Sequence, residues 1–378
     1  MVTEIRNSVG RLARARALMH QHGLDFILAG PSADLFYLTG VTSHTSERMT
    51  LFILPQEAPA YMVVPTFEAA LLPPLTDEVV VRTWGEQDNP ARLAAQLVAS
   101  GANALPGGFA CTIGVADQLW SVFLLRLQAE LPRAAFTSAS AVLTPMRQIK
   151  GADEVEKLRT SGQAADEVFQ EMVERPFIGR SEAEIGHEIV ERLRAKGLEV
   201  PGHAIVASGP NSASPHHHTG DRIIQAGDVI VLDFGGTVGG YYSDITRTVF
   251  AGQGPATGSE ELHVYGLVAA AQEAAVQAAR PGLPCEELDA VARNHFVEAG
   301  YSQYFTHRLG HGIGLDGHEQ PYIVGGNTTP LQPSMAFSIE PGLYLPGKFG
   351  VRIEDIVVLG PDGAERMNNA SRDVTVVN

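Results

Sequence analysis

Residues 229–250 read VIVLDFGGTVGGYYSDITRTVF, and residues 336–359 read AFSIEPGLYLPGKFGVRIEDIVVL. Each is an apolar, β-branched run, then glycine-rich turn residues, then a second run, which is the pattern of a β-hairpin. Asp233 and Asp244 lie on the two arms of the first, Glu340 and Glu354 on the two arms of the second. A turn centred near Val238-Gly239 sets the two aspartates directly opposite one another on one face. Gly347, inside the Pro346-Gly347-Lys348 turn signal, lies midway between the glutamates. Like charges directly across a ladder destabilise it. At roughly 4 Å and an effective dielectric near 20, the repulsion is about 4 kcal/mol per pair. Such carboxylates either hold protons or surround something positive. A solvated strand face accounts for one pair alone. It accounts poorly for two pairs with His311 between them, in the glycine-flanked stretch HRLGHGIGLDGHEQPYI (307–323).

Working outward, the chain divides into two parts. Residues 8–22 read as an arginine-rich amphipathic helix ending near Gly23. Strand-like runs follow at Phe26–Ala29, Met49–Leu54, Tyr61–Val64 and Val79–Thr83, with helical patterns at Pro90–Ser100 and Asp117–Leu131. That is a mixed α/β domain over residues 1–146. The run Pro145-Met146-Arg147-Gln148-Ile149-Lys150-Gly151 marks the crossing into a second domain, 147–378. There a helix is expected from Ala152 to Glu174. Ser181, with Glu184 three residues on, is a capping box opening another helix to about Lys196. Helix-rich segments 258–279 and 284–299 separate the two acidic hairpins, so the second domain reads as α+β. The hairpin–helices–hairpin order hints at an internal duplication, although no clear sequence repeat accompanies it.

With 378 residues and 44% hydrophobic composition, the chain can fill two cores. Its 27 basic against 43 acidic residues, with no basic stripe, argue against a nucleic-acid partner. Cys111 and Cys285 are the only cysteines, so no disulfide framework is expected. The first residues carry arginines but no apolar core of about 7–15 residues, so no secretory leader is expected. No apolar run approaches about 18 residues, and no membrane span is expected. A cytoplasmic protein is the plain reading.

The motifs resemble those of the pita-bread metallopeptidases, the family of proline dipeptidase (prolidase), aminopeptidase P and methionine aminopeptidase. In that family two aspartates, a histidine and two glutamates bind two divalent metals. The resemblance puts these on Asp233 (VLDFGG), Asp244 (YYSDITRT), His311 (LGHGIG), Glu340 (SIEPGLY) and Glu354 (VRIED), with no gap or substitution. It adds His216 in SASPHHHTGD and His318 in GHEQPY as accessory catalytic and substrate-binding residues, and gives Glu340 the role of proton shuttle. The resemblance is strong over residues 145–378. Before that the chain is similar to the creatinase-type N-terminal domain. The implied fold is therefore a C-terminal pita-bread domain preceded by a smaller α/β domain. The stretches GPNSASPHHHTGDR and SERMTLFIL look most like bacterial Xaa-Pro dipeptidases, and the resemblance also implies a homodimer.

The chemistry fits the donors. Four carboxylates and one imidazole without a thiolate suit Mn²⁺, Co²⁺ or Fe²⁺ better than a structural zinc, with zinc left open. Two metals about 3.5–4 Å apart would lower the pKa of a bridging water from about 15.7 toward about 7, giving a hydroxide that attacks a peptide carbonyl. The bond before proline has no N–H once formed, so selection must come from shape and carbonyl-side contacts, where His216 and His318 would act. His216-His217-His218 also reads as a solvated tract, and His318 as a surface residue. His307, four residues before His311, is left as a supporting or structural residue because glycines 310, 312 and 314 oppose a helix there. Arg352 shares the strand face of Glu354 and is expected to orient the acids by a salt bridge. A dipeptidase must also hold a free carboxylate, best done by an arginine fork. Arg48, in HTSERMT, is the expected anchor, reaching in from the N-terminal domain or a partner subunit, with Arg372 as second choice. Short proline-containing peptides are the expected substrates, dipeptides ahead of the longer ones taken by aminopeptidase P. A two-metal phosphoesterase would need basic residues that the motifs lack. A metal-free or non-catalytic relative would be expected to have lost ligands. GGTVGG is not GxGxxG, and no phosphate-loop motif is present.

Overall fold

The computed structural model describes residues 2–102, 110–199 and 204–378. They form two compact units, Met1–Arg147 and Gln148–Asn378.

The first unit is built on a six-stranded mixed sheet. Its strands are β1 (Phe26–Ala29), β2 (Leu51–Pro55), β3 (Ala60–Pro65), β4 (Val79–Trp84), β5 (Thr112–Val115) and β6 (Ala135–Ser138). Their spatial order is 4-3-2-1-5-6. The helices are α1 (Val2–His22), α2 (Ala33–Thr39), α3 (Pro90–Ala102), α4 (Ser121–Glu130) and α5 (Ser140–Gln148). Phe26, Leu28, Leu51, Ile53, Val98 and Phe123 are buried in one core beneath α3 and α4. Two short strands and two short helices carry little periodicity. β5 has four residues held by parallel pairing to β1 and β6, and β6 is a mostly exposed edge. α2 is closed by Ser32 at its start and by Gly40 (φ 75°) at its end. α5 runs through Pro145, so that proline lies inside a helix and does not begin a linker.

The second unit pairs helices with sheets twice. α6 (Ala152–Val173) and α7 (Glu182–Ala195) precede a four-stranded sheet of β7 (Ile205–Ser208), β8 (Val229–Phe234), β11 (Ile245–Ala251) and β19 (Thr375–Val377). Phe169, Ile185, Ile189, Ile230 and Leu232 are buried together between them. α8 (Glu260–Ala278) and α9 (Cys285–Glu298) precede a five-stranded sheet of β12 (Gly310–Gly312), β13 (Glu319–Ile323), β14 (Ala336–Ile339), β17 (Asp355–Leu359) and β18 (Ala364–Arg366). Their core holds Leu288, Phe296, Phe337 and Val357. Two small hairpins complete the unit: β9 (Thr237–Val238) with β10 (Tyr241–Tyr242), and β15 (Gly342–Leu345) with β16 (Phe349–Arg352). The Ser181–Glu184 capping box is formed, with Glu184 N–H donating to Ser181 Oγ (3.1 Å) and Ser181 N–H to Glu184 Oε2 (2.7 Å).

The turns decide where the acids stand. In the first hairpin Val238 pairs with Tyr241, so the loop is Gly239-Gly240, both left-handed at φ 55° and 83°. A two-residue loop with positive φ at both positions takes glycine, which valine cannot replace. The turn therefore lies one residue later than Val238-Gly239, and Asp233 pairs with Thr246. The aspartates are diagonal neighbours on one face, not direct partners. The second hairpin matches its expected register. Leu345 pairs with Phe349 across Pro346-Gly347-Lys348, with Gly347 at φ 73°. Glu340 and Glu354 fall between the pairs Ile339–Asp355 and Gly342–Arg352, facing one another.

Candidate metal centre

Five strand ends deliver the donors. Asp233 lies in β8, Asp244 just before β11 and His311 in β12, while Glu340 and Glu354 occupy the gaps between β14 and β15 and between β16 and β17. The two sheets meet at Glu354, whose N–H donates to Thr246 O (3.0 Å). Close packing of backbone makes this possible. A Cβ on Gly235 would stand 1.9 Å from Ser243 O, and one on Gly310 would stand 1.9 Å from Ser338 O.

All five donors line one cavity of about 510 Å³, together with His216, His307, Arg308, His318 and Arg352. Donor atoms of Asp233, Asp244 and Glu354 lie within 4.8 Å of one another, as do those of His311, Glu340 and Glu354, and those of Asp244, His311 and His318. Arg352 Nη2 donates to Asp233 Oδ2 (2.6 Å), Nε to Thr246 Oγ1 (3.0 Å), and Nη1 to Tyr344 OH (2.9 Å) and Pro215 O (3.3 Å). Thr246 Oγ1 in turn donates to Glu354 Oε2 (2.6 Å). His311 Nε2 is 3.2 Å from Glu340 Oε1, which also accepts from Ser338 Oγ (3.0 Å).

The electrostatics show how little positive charge the protein supplies. Burial, then Asp233, pushes the Asp244 carboxyl well above the usual carboxylate range. Burial, then Asp244 and Glu340, does the same to Glu354. Burial also pushes Glu340 up, but the hydrogen bond and charge of His311, with His307 and Arg352, outweigh it and bring it down to about 2. A buried charge without a partner takes a proton or a counter-ion. The donor set is hard, oxygen-rich and converging, so it fits divalent cations. The residues able to hold two ions are Asp233, Asp244, His311, Glu340 and Glu354.

The surrounding groups have distinct placements. His318 stacks on His311 with ring centroids 3.8 Å apart, and its Nδ1 lies 3.3 Å from Arg308 Nη2. His307 is bonded to Tyr344 OH (3.0 Å) and Arg308 O (2.7 Å), a supporting place at the cavity wall. His216 lines the cavity, whereas His217 turns away to Glu182 (2.8 Å). Arg372 packs on Asp355 (2.5 Å) and Asn368 O (2.8 Å), away from the cavity lining, so it is not an anchor. Arg48 lies in the first unit, bonded to Glu86 (2.8 Å) and Glu47 (2.6 Å). Sequence reasoning missed Thr246, Tyr344, Glu182 and Arg308. Thr246 alone had a local signal, since it follows Asp244 by two on the same strand face.

This donor set, on two helix-backed sheets of a unit that follows a creatinase-type domain in the chain, defines a pita-bread metallo-exopeptidase. Residues 156–361 match the model of metallopeptidase family M24, and residues 11–149 match the creatinase/prolidase N-terminal domain. The chain belongs to family M24. It is 40% identical to the probable dipeptidase PepE of Mycobacterium bovis, over 97% of this chain and 96% of that one. It is 34% identical to the Xaa-Pro dipeptidase of Pyrococcus horikoshii, over 70% of this chain and 74% of that one. Among solved structures it superposes on the prolidase from Thermococcus sibiricus with a TM-score of 0.90 at 36% identity, covering 97% and 98% of the two chains.

Proposed function

We propose that this metallo-exopeptidase is a prolidase, hydrolysing the bond before proline in dipeptides, with two divalent ions held by Asp233, Asp244, His311, Glu340 and Glu354. The observation that carries the reading is the convergence of four carboxylates with one buried guanidinium, Arg352, as their fixed counter-charge. Relatives named Xaa-Pro dipeptidase and prolidase support the substrate class. Manganese is the proposed metal, with cobalt or zinc as alternatives, and the enzyme is proposed to act as a cytoplasmic homodimer.

When bound, the ions supply Lewis acidity, acidifying water and polarising the scissile carbonyl. Glu340 is proposed as the proton carrier: its Oε1 is held by His311 and Ser338, and the carboxylate would take a proton from water and pass it to the leaving proline nitrogen. Burial and the charge of His311 lower His318 to about 4, so its imidazole is neutral at pH 7. Arginine only donates, so Nδ1 accepts from Arg308 and the ring proton sits on Nε2. That N–H can donate to the carbonyl oxygen as negative charge develops on it. His216 also lines the cavity and is proposed to contact the substrate. Arg352 holds Asp233 in place, and Arg48 is proposed to anchor the substrate carboxylate.

The test is a chain-length series, Ala-Pro against Ala-Pro-Ala, on metal-stripped enzyme reloaded with Mn²⁺, Co²⁺ or Zn²⁺. A kcat/KM at least tenfold higher for Ala-Pro supports the proposal. Faster release from the tripeptide makes the enzyme an aminopeptidase P. Arg48→Ala is expected to raise KM for Ala-Pro far more than for Ala-Pro-Ala; equal effects remove Arg48 from substrate binding.

A further inference from the structure

We propose that Lys150 is a positioning residue for His318, acting through its buried ion pair with Glu319. The proposal rests on the reading of His318 as the donor to the substrate carbonyl, and deepens it.

His318 is exposed, yet its ring has to stay stacked on His311 at 3.8 Å to face the scissile bond. The backbone that carries it is fixed from below. Gly312 pairs with Glu319, so residues 313–318 form a closed loop and His318 is its last member. Glu319, the next residue, turns inward, and Lys150 Nζ donates to its Oε1 at 2.6 Å. The two side chains are 2% and 9% exposed. Lys150 is itself stitched to the segment leading into β14 and Glu340. Its N–H donates to Ser334 O (2.9 Å), and Ile149 pairs with Met335. The loop backbone rests directly on the ion pair. A Cβ on Gly314 would stand 2.7 Å from Glu319 Oε1 and 2.9 Å from Lys150 Nζ. Gly314 O in turn accepts from the N–H of Tyr242 (2.9 Å), two residues before Asp244.

Stability is a poor reason for this pair. Taking two charges out of water costs about what their attraction returns, and apolar replacements of similar volume are often as stable. What a buried ammonium–carboxylate contact does supply is a fixed distance. Held at 2.6 Å from a lysine tied to β14, the Glu319 carboxylate leaves its own backbone little freedom, and His318 is the neighbouring residue. A donor to developing charge tolerates little error, since a misplacement of about 1 Å can cost on the order of 100-fold in rate. Such a loss falls on kcat, because the interaction strengthens only as the oxyanion forms.

The experiment uses the full-length Mn²⁺-loaded protein and Ala-Pro, with kcat, KM, bound metal and melting temperature measured for each variant. Lys150→Met alone strands the Glu319 carboxylate and can fail to fold. The deciding variant is therefore Lys150→Met with Glu319→Gln, which removes both charges together. Its melting temperature and Mn²⁺ content should stay near the wild type. Its kcat should fall on the order of 10- to 100-fold, with KM within about threefold. In a His318→Ala background the same two substitutions should lower kcat by less than about twofold, because the group they displace is already gone. A full kcat in the charge-free variant, or an undiminished loss in the His318→Ala background, overturns the proposal. So does a collapse of melting temperature or loss of Mn²⁺, either of which makes the pair a support of the fold or of the metal centre. Wild-type kcat in His318→Ala overturns it as well. A wild type that cleaves Ala-Ala but not Ala-Pro refutes the prolidase reading alone, and the same comparison then runs on Ala-Ala.

Discussion

Arg352 is the residue on which the acidic cluster balances. Its side chain is 5% exposed and bonds Asp233 at 2.6 Å. Burial alone would lower its pKa, but Tyr344, Asp233, Glu354 and Glu340 outweigh that and raise it well above the ordinary value. Removing one partner of a buried pair leaves the other charge uncompensated, at about 3–5 kcal/mol. Arg352→Ala in the metal-stripped protein should therefore lose stability of that order in urea unfolding. A loss below about 1 kcal/mol would show that the carboxylates shed their charge without it. The five donors were legible because a period-two pattern with glycine turns puts them on strand faces. Arg308 was not, because its contacts with His318 and Tyr322 are set only by packing.

Among the elements, the loop from β7 to β8 shows how one acid organises a segment. Glu182 opens α7 and is fully buried, its carboxylate accepting from Ser208 N (2.8 Å), Ser208 Oγ (2.7 Å), Asn211 Nδ2 (3.0 Å) and Gly220 N (3.3 Å), with His217 Nε2 at 2.8 Å. Those contacts bracket His216 on both sides. Burial raises the Glu182 pKa, yet the bonds from Ser208, Asn211 and His217 outweigh it and leave it lowered. A carboxylate with a depressed folded pKa adds stability above its unfolded pKa and loses it as pH falls through the folded one. Glu182→Gln should be about 1.5–3 kcal/mol less stable than wild type at pH 7. The gap should narrow as pH falls below the usual glutamate range; urea midpoints with no pH dependence in the difference would refute this. The first hairpin supplies a second test. Gly235→Ala forces a Cβ onto Ser243 O, next to Asp244. Overpacking should cost about 1–3 kcal/mol and weaken Mn²⁺ binding, read by thermal unfolding and by metal titration. Retained affinity would mean that the Asp244 strand moves freely. Helices with caps, such as α7, were readable from sequence. β5, β6 and α2 were not, since four to seven residues without periodicity are set by their sheet neighbours.

At the scale of the molecule, the cations and the fold are linked. Ions that bind only the folded state stabilise it by mass action, about 2.7 kcal/mol at 100 times Kd. Chelator-treated protein should thus unfold at lower temperature and lose peptidase activity. Both should return on adding Mn²⁺, followed by calorimetry and Ala-Pro turnover; full activity without metal would end the two-cation reading. The repeated pairing of α6 and α7, then α8 and α9, with a following sheet gives each half its own core. That leaves the strand ends free to carry charge. The amino-acid order alone carried the donor types, their spacing and the second hairpin's register, because turn glycines and strand alternation act over a few neighbouring residues. The burial of Arg352 and the contact of Arg308 with His318 came from packing. They depend on backbone approach and desolvation between segments as much as 119 residues apart, as in the Arg352–Asp233 pair, and no local pattern encodes those.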